Sequence, residues 1–316
     1  MNRRTFLLLS SALGLTALPR VASAAPLKEL RIGYQKTSVF LVVKAQKALE
    51  QHFEPQGVSI RWVEFPFGPP LLEALNVGAI DYGYTGNAPP VFAQAAHANI
   101  QYVAVIPAHG YGQAVVVPEA SPLKTLADLS GKRIAVAKGS SAHDLLVAAL
   151  ESANVAWNAI TPVYLAPADA AAAFARGAVD AWSIWDPFYA IAELKQKAHP
   201  LPIDPKVAEQ NSFFLANSDF IAQHADVVAA INSSIATATA WAGNHRDETA
   251  ALFAEASGVD IEAQKRAVAR AEFTFGKLDD KIIGQQQAVA DRFHRLGLIP
   301  QQISVRHIVW AGKPSS

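Results

Sequence analysis

Short apolar runs rich in β-branched and aromatic residues alternate along the chain with longer segments in which apolar residues recur every three or four positions. The first pattern predicts β-strands, and the second predicts amphipathic helices. We predict strands at residues 30–34, 58–65, 102–106, 114–117, 133–137, 163–165, 182–185 and 212–216. We predict helices at residues 38–52, 71–76, 167–176, 225–242, 245–256, 261–271 and 281–296. Strands that alternate with helices are typical of an α/β fold.

The same unit, a strand that runs into a polar turn and then a helix, recurs in two halves of the chain. Residues 78–84 (GAIDYGY) lead into a turn, and residues 177–183 (GAVDAWS) repeat that arrangement. Residues 31–36 and 133–141 form a second matching pair. We therefore predict two similar lobes that face each other, with residues 25–115 in lobe 1, 116–212 in lobe 2, and 213–316 returning to lobe 1 as the C-terminal helices. We expect residues 114–117 and 212–216 to pair as a two-stranded hinge between the lobes.

The turn at Gly86, Asn87 and Ala88 precedes a helix that begins with two prolines, Pro89 and Pro90. Proline is tolerated in the first turn of a helix, because the missing N–H would have had no partner there. The N–H groups of the turn are left uncommitted at a helix terminus that carries about half a positive charge, which favours a small anion. Taken alone, the stretch is equally compatible with an ordinary capped helix.

A second turn that could bind a small anion lies in the other half of the chain. Ser140 and Ser141 follow a glycine, and we predict that Ser141 is the N-cap of a helix with Asp144 as its capping-box partner. Asp186, which follows Trp185, is predicted to cap a further helix whose first residue is Pro187. Each of these turns could be an ordinary helix cap, and their repetition in both lobes is what favours a shared anion site.

The N-terminus has the features of an export signal. Two arginines, Arg3 and Arg4, precede an apolar run that ends at Leu18 and is too short to span a bilayer. Small residues at 22–24 suit a signal peptidase, so we predict a twin-arginine signal peptide at residues 1–24 and a mature start at Ala25.

Composition restricts the partners and the chemistry. The chain has 27 basic and 27 acidic residues and no cysteine. The absence of net charge argues against nucleic acid as a partner, and an exported chain without cysteine has no disulfides and no lipid-modified N-terminus. The nine histidines show no metal-ligand spacing, and there is no P-loop or nucleophile elbow. We expect neither a metal nor a cofactor.

Five motifs together resemble the aliphatic sulfonate-binding periplasmic proteins of ABC importers, within the sulfonate, taurine and nitrate group of solute-binding proteins. The likeness covers nearly all of the mature chain. The motifs are residues 33–36 (GYQK), 72–78 (LEALNVG), 89–96 (PPVFAQAA), 138–141 (KGSS) and 181–187 (AWSIWDP). The resemblance implies a two-lobed periplasmic binding protein of type II, with a mixed sheet flanked by helices in each lobe and a two-segment hinge. It implies a monomer in the periplasm that binds a small organic sulfonate or related anion and delivers it to the ABC permease in the inner membrane.

The resemblance also implies a site on the cleft faces of the matching turns. The implied ligand-binding residues are Gln35, Gly86, Asn87, Ala88, Ser140, Ser141, Trp185 and Asp186, and further lining is expected from Phe67, His143 and Phe188. A sulfonate stays a monoanion at physiological pH, so helix N-termini with hydroxyl and amide donors can hold it without a buried cation. Many relatives have an acidic residue at the position of Asn87, so a ligand amine has one fewer obvious partner here.

Three alternatives stay open at the level of sequence. The ligand could be taurine, nitrate or another small anion, because these binding proteins differ by a few side chains in the cleft. The same fold also carries pyrimidine-forming enzymes of thiamine synthesis, but these depend on histidine and cysteine chemistry, and cysteine is absent here. A sensor partner that reports the ligand to a membrane receptor would have the same fold.

Overall fold

A computed structural model describes residues 26–36, 38–107 and 109–312. The predicted signal peptide at residues 1–24 and the predicted cleavage site before Ala25 lie outside the described residues. The strands are β1 Glu29–Tyr34, β2 Ser59–Glu64, β3 Tyr82–Gly86, β4 Ile100–Ile106, β5 Gln113–Val117, β6 Arg133–Val136, β7 Thr161–Tyr164, β8 Ala181–Trp185, β9 His199–Pro200 and β10 Ser212–Asn217.

Twelve α-helices lie between and after these strands in the described parts of the chain. They are α1 Phe40–Ala45, α2 Ala48–Phe53, α3 Gly68–Asn76, α4 Ala88–Ala95, α5 Ser141–Ser152, α6 Pro167–Ala175, α7 Phe188–Gln196, α8 Pro205–Ala208, α9 Ser218–Asn244, α10 Arg246–Ser257, α11 Ile261–Arg270 and α12 Asp280–Arg295. None of the helices described is both long and apolar enough to cross a membrane.

The strands form two five-stranded sheets with the same internal plan. The first has the order β2-β1-β3-β10-β4, and the second has the order β7-β6-β8-β5-β9. In each sheet four strands run in the same direction, and one strand, β10 or β5, runs antiparallel to both of its neighbours. Two mixed sheets flanked by helices confirm the predicted two-lobed α/β architecture. We call the lobe around the first sheet the first lobe and the other the second lobe.

Apolar residues on the strands and on the facing helices build a separate core in each lobe. In the first lobe the rings of Phe40, Tyr82 and Phe214 pack edge to face or tilted, and all three are fully buried. In the second lobe Trp182 on β8 packs against Phe174 and is 1% exposed. Because full burial of a large apolar side chain is worth about 1.5–3 kcal/mol, these clusters contribute strongly to the stability of each lobe.

The chain passes twice between the sheets, once between β4 and β5 and once between β9 and β10, so the hinge has two segments as expected. The predicted pairing of residues 114–117 with 212–216 is wrong. β5 pairs with β8 and β9 in the second sheet, whereas β10 pairs with β3 and β4 in the first. Each of these strands completes the sheet of the lobe it enters, where both of its edges find backbone partners. The lobe boundaries given above stay a prediction, and β5 lies wholly in the second sheet from Gln113 onward.

The C-terminal helices pack mainly on the first lobe. α9 contacts β4 and β10, α10 contacts α1, and α12 contacts α4. α11 also packs against α7 of the second lobe. This helix therefore spans the gap between the lobes, and its last residue is Arg270.

Candidate functional site

A cavity of about 180 Å³ lies between the two lobes and is lined by residues of both. Polar and apolar side chains contribute, and both chain crossings reach it at Gly110 and Gln210. Its wall comprises Gln35, Val39, Gly68, Tyr84, Thr85, Gly86, Pro89, Ile106, Gly110, Tyr111, Gly112, Gln113, Ser140, Ser141, Trp185, Asp186, Gln210, Ser212, Phe253, Arg270, Ala271, Glu272 and Phe273. No group of three or more metal-ligating side chains occurs among the described residues.

Three helices of eight or more residues begin at the cavity wall. α3 and α4 of the first lobe begin with Gly68 and Ala88, each followed by two prolines, and α5 of the second lobe begins with Ser141. The sequence prediction placed the start of α3 at Leu71, three residues too late, so it missed this terminus. Because each helix N-terminus carries a partial positive charge and N–H groups without helical partners, their convergence favours an anion.

The two serines at the start of α5 have different positions from those predicted. Ser140, not Ser141, is the N-cap, and its hydroxyl accepts from the N–H of His143 at 3.4 Å while it donates to the carbonyl of Ala137 at 2.7 Å. Asp144 is not a capping-box partner. Ser140 is 2% exposed, whereas Ser141 is half-buried and lines the cavity. The hydroxyl of Ser141 is therefore the one placed to meet a ligand.

Gln35, Thr85 and Gly86 form the opposite wall, in the first lobe. The amide of Gln35 donates to the carbonyl of Tyr84 at 3.0 Å, which holds this side chain at the cavity. Gly86 faces the second lobe so closely that a Cβ built on it would lie 2.7 Å from Cβ of Ser141. The two predicted turns thus meet across the cleft, and the lobes are in contact.

Asn87 and Ala88 do not line the cavity, although their neighbours do. The amide of Asn87 donates to Asp144 of the second lobe at 2.7 Å, and the same carboxylate group accepts from Arg292 on α12 at 2.6 Å. Asn87 is 2% exposed and Ala88 is fully buried. Burial raises the pKa of Asp144, an effect that the charge of Arg292 opposes. These residues form a contact between the lobes beside the cavity.

His143, which was expected to line the cavity, is fully buried behind the cavity wall. Its ring packs against Phe92 and Phe293 of the first lobe and against Trp157 and Tyr164 of the second. Nδ1 accepts from the N–H of Gly139 at 3.1 Å, so this nitrogen is unprotonated. Burial, with a smaller contribution from the charge of Lys138, lowers the pKa of His143 to about 4.

Trp185 and Asp186 line the cavity at the end of β8, and Phe188 and Phe67 do not. Phe188 instead packs on Trp182 and Trp185. The predicted cap at Asp186 is shifted by one residue, because Pro187 occupies the N-cap position and α7 begins at Phe188. Oδ1 of Asp186 nevertheless accepts from the N–H of Ala190 at 3.0 Å, and the side chain is 11% exposed.

The sequence prediction missed a cation in the cavity, Arg270 at the end of α11. One amino group of its guanidinium bonds to Glu193 of the second lobe, and Nη1 lies 3.5 Å from Oδ1 of Asp186. The guanidinium carbon also lies 4.0 Å from the centre of the Tyr189 ring. Burial raises the pKa of Asp186 to about 6 despite this neighbouring cation. Nothing in the local sequence distinguishes Arg270 from a solvated arginine at a helix end. The sequence prediction therefore described a site that lacks a buried cation, and it omitted this residue.

Two α/β lobes that are joined by two crossings and have a small cavity between them are the architecture of two-lobed periplasmic binding proteins. Residues 42–249 match the family model described as NMT1/THI5 like. The chain belongs to this family and, within it, to the aliphatic sulfonate-binding proteins. It is 38% identical over 306 residues to an aliphatic sulfonates-binding protein of Escherichia coli (strain K12), a match that covers 96% of this chain and 95% of that protein.

Solved structures agree with this assignment. The alkanesulfonate-binding protein SsuA from Xanthomonas axonopodis pv. citri bound to MOPS is 40% identical and superimposes with a TM-score of 0.86 over 91% of this chain and 99% of that one. The desulfurization enzyme DSZB, at 16% identity and a TM-score of 0.66, covers 90% of this chain and 97% of its own. That second likeness concerns the fold alone, so the fold by itself does not separate binding from catalysis.

Proposed function

We propose that this chain is the periplasmic solute-binding component of an ABC importer and that it captures a small aliphatic sulfonate in the cavity between its lobes. The observation that carries the proposal is the convergence of the α3, α4 and α5 N-termini on one cavity between the lobes that Arg270 also lines. The names of the similar proteins, which bind aliphatic sulfonates, support the same ligand class.

The donors at the cavity suit a sulfonate group. Its three oxygens accept hydrogen bonds in different directions, and Gly68 at the start of α3 and Ser141 at the start of α5 line the cavity from opposite lobes. Because these donors come from opposite lobes, bonding to one anion favours the closed arrangement over an open one. The ligand thereby stabilises closure, and the closed form is the one we propose is presented to the permease.

The apolar part of the wall suits a short alkyl chain. Trp185, Phe273 and Ile106 contribute side chains from both lobes. Small-molecule sites usually combine apolar lining with a few placed polar groups, and this cavity has both.

A binding experiment over matched anions tests this function. Purified mature protein is titrated calorimetrically with ethane-, propane-1- and butane-1-sulfonate, and with nitrate and sulfate for comparison. We expect saturable binding of the alkanesulfonates at one site and a raised melting temperature, with a stabilisation of about 2.7 kcal/mol when the ligand is present at about 100 times its Kd. Binding of nitrate alone, or of none of these anions, would contradict the proposal.

We further propose that the chain binds its ligand without turning it over. The same incubations, followed for release of sulfite and for loss of the sulfonate, are expected to return the sulfonate unchanged. Catalytic release of sulfite would assign the chain to the enzymes that share its fold.

We also propose export to the periplasm by the twin-arginine signal and function as a monomer. Exchange of Arg3 and Arg4 for lysine keeps the charge but removes the guanidinium pair, so it is expected to retain the protein in the cytoplasm in cell fractionation. Normal periplasmic accumulation of this double variant would refute the twin-arginine assignment without affecting the binding proposal. Light scattering of the purified protein measures the oligomeric state.

A further inference from the structure

The ring of His143 lies at a contact between the two lobes, behind the cavity wall. Phe92 of α4 and Phe293 of α12 cover it from the first lobe, with ring centres 6.2 and 5.4 Å from its own. Trp157 and Tyr164 cover it from the second lobe, to which His143 itself belongs. The opposite lobe therefore provides two of the four rings that enclose it, and the ring is fully buried only while the lobes are together.

Neither nitrogen of this ring is placed to hold an additional proton. Nδ1 accepts a hydrogen bond from the N–H of Gly139 at 3.1 Å. Because a neutral imidazole has one donor and one acceptor nitrogen, Nε2 carries the proton, and it is buried without a hydrogen-bond partner among the described residues. A second proton would enter at Nδ1, where it would face the N–H of Gly139, and its charge would be buried among aromatic rings. The closed arrangement therefore disfavours the charged form of His143.

The charged and titratable groups around the ring do not offset that cost. Lys138, on the turn before α5, adds a positive charge, and its Nζ lies 5.5 Å from the centre of the Tyr164 ring. On α5 the carboxylate of Asp144 is already bonded to Arg292 of α12, which also carries the exposed His294. α4 and the short 3-10 turn that contains the tryptophan have no charged side chain. Burial, and to a smaller extent the charge of Lys138, lowers the pKa of His143 to about 4.

Resting on the function proposed above, we propose that His143 is a pH-sensitive switch for lobe closure, because the lobes can close fully only on its neutral ring. When the lobes separate, Phe92 and Phe293 leave the ring, which can then turn toward water and take up a proton. The open form thus binds this proton more tightly than the closed form does. By linkage, acid favours opening and release of the ligand.

The pH range of the switch follows from the pKa of the ring in the two forms. This pKa is about 4 in the closed form, and a solvated histidine has a pKa of about 6.5. Since the closed form has the lower pKa, affinity is fully present above about pH 6.5 and is lost as the pH falls toward 4. Propane-1-sulfonate is a suitable probe, because it stays a monoanion throughout. Calorimetry on the wild type is expected to give a Kd at pH 5 that is about 5 to 30 times that at pH 7.5, the upper value applying to a ring that is fully solvated in the open form.

His143→Phe keeps an aromatic ring and cannot take up a proton. The rise in Kd is expected to be lost in this variant. Comparison with the wild type also removes the contributions of Asp144 and Asp186, which are present in both proteins. His294→Phe makes the same exchange at an exposed histidine on α12 and is the matched control. It is expected to keep the wild-type pH dependence.

Proton release is a second readout, which a purely structural histidine would not produce. Calorimetry at pH 5.5 in two buffers of different ionisation enthalpy counts the protons released on binding. The wild type is expected to release about 0.5–0.9 proton per ligand more than His143→Phe does.

Phe92→Ala tests the same inference if His143→Phe does not fold, because Phe92 is only half-buried. This variant leaves His143 in place and lets water reach its ring in the closed form. The charged ring is then less disfavoured, so the rise in Kd between pH 7.5 and pH 5 is expected to shrink by about twofold or more.

The outcomes separate this inference from the function beneath it. Parallel pH profiles of the wild type and His143→Phe, or equal proton release by the two, overturn the switch and leave sulfonate binding intact. An undiminished rise in Kd for Phe92→Ala has the same meaning. Absence of propane-1-sulfonate binding to the wild type at pH 7.5 overturns the proposed function, and this inference with it.

Discussion

Ser140 and Ser141 are neighbours in the chain and have separate roles in the structure. The hydroxyl of Ser140 is committed to the helix cap, because it accepts a hydrogen bond from the N–H of His143 and donates one to the carbonyl of Ala137. Ser141 is the first residue of α5 and stands at the cavity opposite Gly86. The two serines differ by only one position at the start of α5. That one position determines which hydroxyl stabilises the helix and which one faces a ligand.

Alanine at each serine should separate stability from affinity. Ser141→Ala is expected to weaken binding of an alkanesulfonate by about 1.5–3 kcal/mol, because a hydrogen bond to a charged group is lost. Ser140→Ala is expected to lower the free energy of unfolding by about 1 kcal/mol, the usual cost of losing an N-cap. Calorimetry and urea unfolding measure the two effects. Ser152→Ala, at the other end of α5, is the control, and an unchanged affinity of Ser141→Ala would place the anion elsewhere.

His143 is expected to make the folded state sensitive to mild acid. Its pKa is about 4 in the folded protein, below the unfolded value of about 6.5, because burial disfavours the charged ring. The unfolded state therefore takes up a proton first, and stability is lost as the pH falls from about 6.5 to about 4.

The test compares the wild type with His143→Phe, which keeps an aromatic ring and does not titrate. The free energy of unfolding of the wild type, relative to this variant, is expected to fall by on the order of 3 kcal/mol over that pH range. The comparison also cancels the opposite contribution of Asp186, whose raised pKa favours the folded state as the pH falls. Parallel pH profiles would show that the ring is not desolvated.

At the level of elements, the two crossings between the lobes pack against each other beside the cavity. Gln113 at the start of β5 donates to Gln210 on the second crossing at 2.6 Å, and Gln210 donates to Asp144 at 3.1 Å. Gly110 on the first crossing has φ of +80°, and a Cβ there would lie 2.0 Å from the carbonyl oxygen of Ala208. The crossings approach this closely only because Gly110 has no side chain.

Alanine at Gly110 should therefore destabilise the protein more than its backbone angle alone requires. Gly131 is the matched control, since its φ is +76° and a Cβ there would contact nothing within 4 Å. Gly131→Ala is expected to cost about 1–2 kcal/mol for the left-handed conformation. Gly110→Ala is expected to cost a further 1–3 kcal/mol, roughly, because the crossings must move apart. Equal costs in urea unfolding would mean that the crossings are loosely packed.

At the level of the whole molecule, ion pairs close both edges of the cleft. On one edge Arg292 of α12 bonds to Asp144 at 2.6 Å and to Glu151 at 3.1 Å. On the other edge Arg270 pairs with Glu193, and Arg266 lies 3.4 Å from the same carboxylate. Asp144 is 3% exposed, so its pair with Arg292 is formed only when the lobes are together. These contacts and the ligand favour the same closed arrangement.

Gly86→Ala should impair closure without unfolding either lobe, because the added Cβ would lie 2.7 Å from Cβ of Ser141 in the other lobe. We expect about tenfold weaker sulfonate binding and a smaller decrease in the radius of gyration on saturation than in the wild type. Small-angle scattering with and without propane-1-sulfonate measures the decrease. Gly284→Ala is the control, since its added Cβ would contact nothing within 4 Å. Wild-type compaction of Gly86→Ala would show that the lobes do not meet at this point.

The sequence by itself determined the repeated strand, turn and helix units, the α/β class and several cavity positions. These features depend on local patterns: the periods of two and about 3.6, and the prolines that mark the start of α4. Gln35, Gly86, Ser140, Ser141, Trp185 and Asp186 were implied for the site by the resemblance of the motifs, and they line the cavity. Whether they bind a ligand stays a prediction.

Only the tertiary structure decided which other side chains reach the cavity. Asn87 donates a hydrogen bond to Asp144, 57 positions away. Arg270 lines the cavity from α11, a helix that the sequence prediction assigned to lobe 1 as part of the C-terminal segment. Residues 114–117 and 212–216 each joined a sheet and did not pair with each other. The same physical reason applies to Asn87, to Arg270 and to the two strands. A polar side chain or a strand edge bonds to the nearest partner in space, and local periodicity carries no information about partners that are distant along the chain.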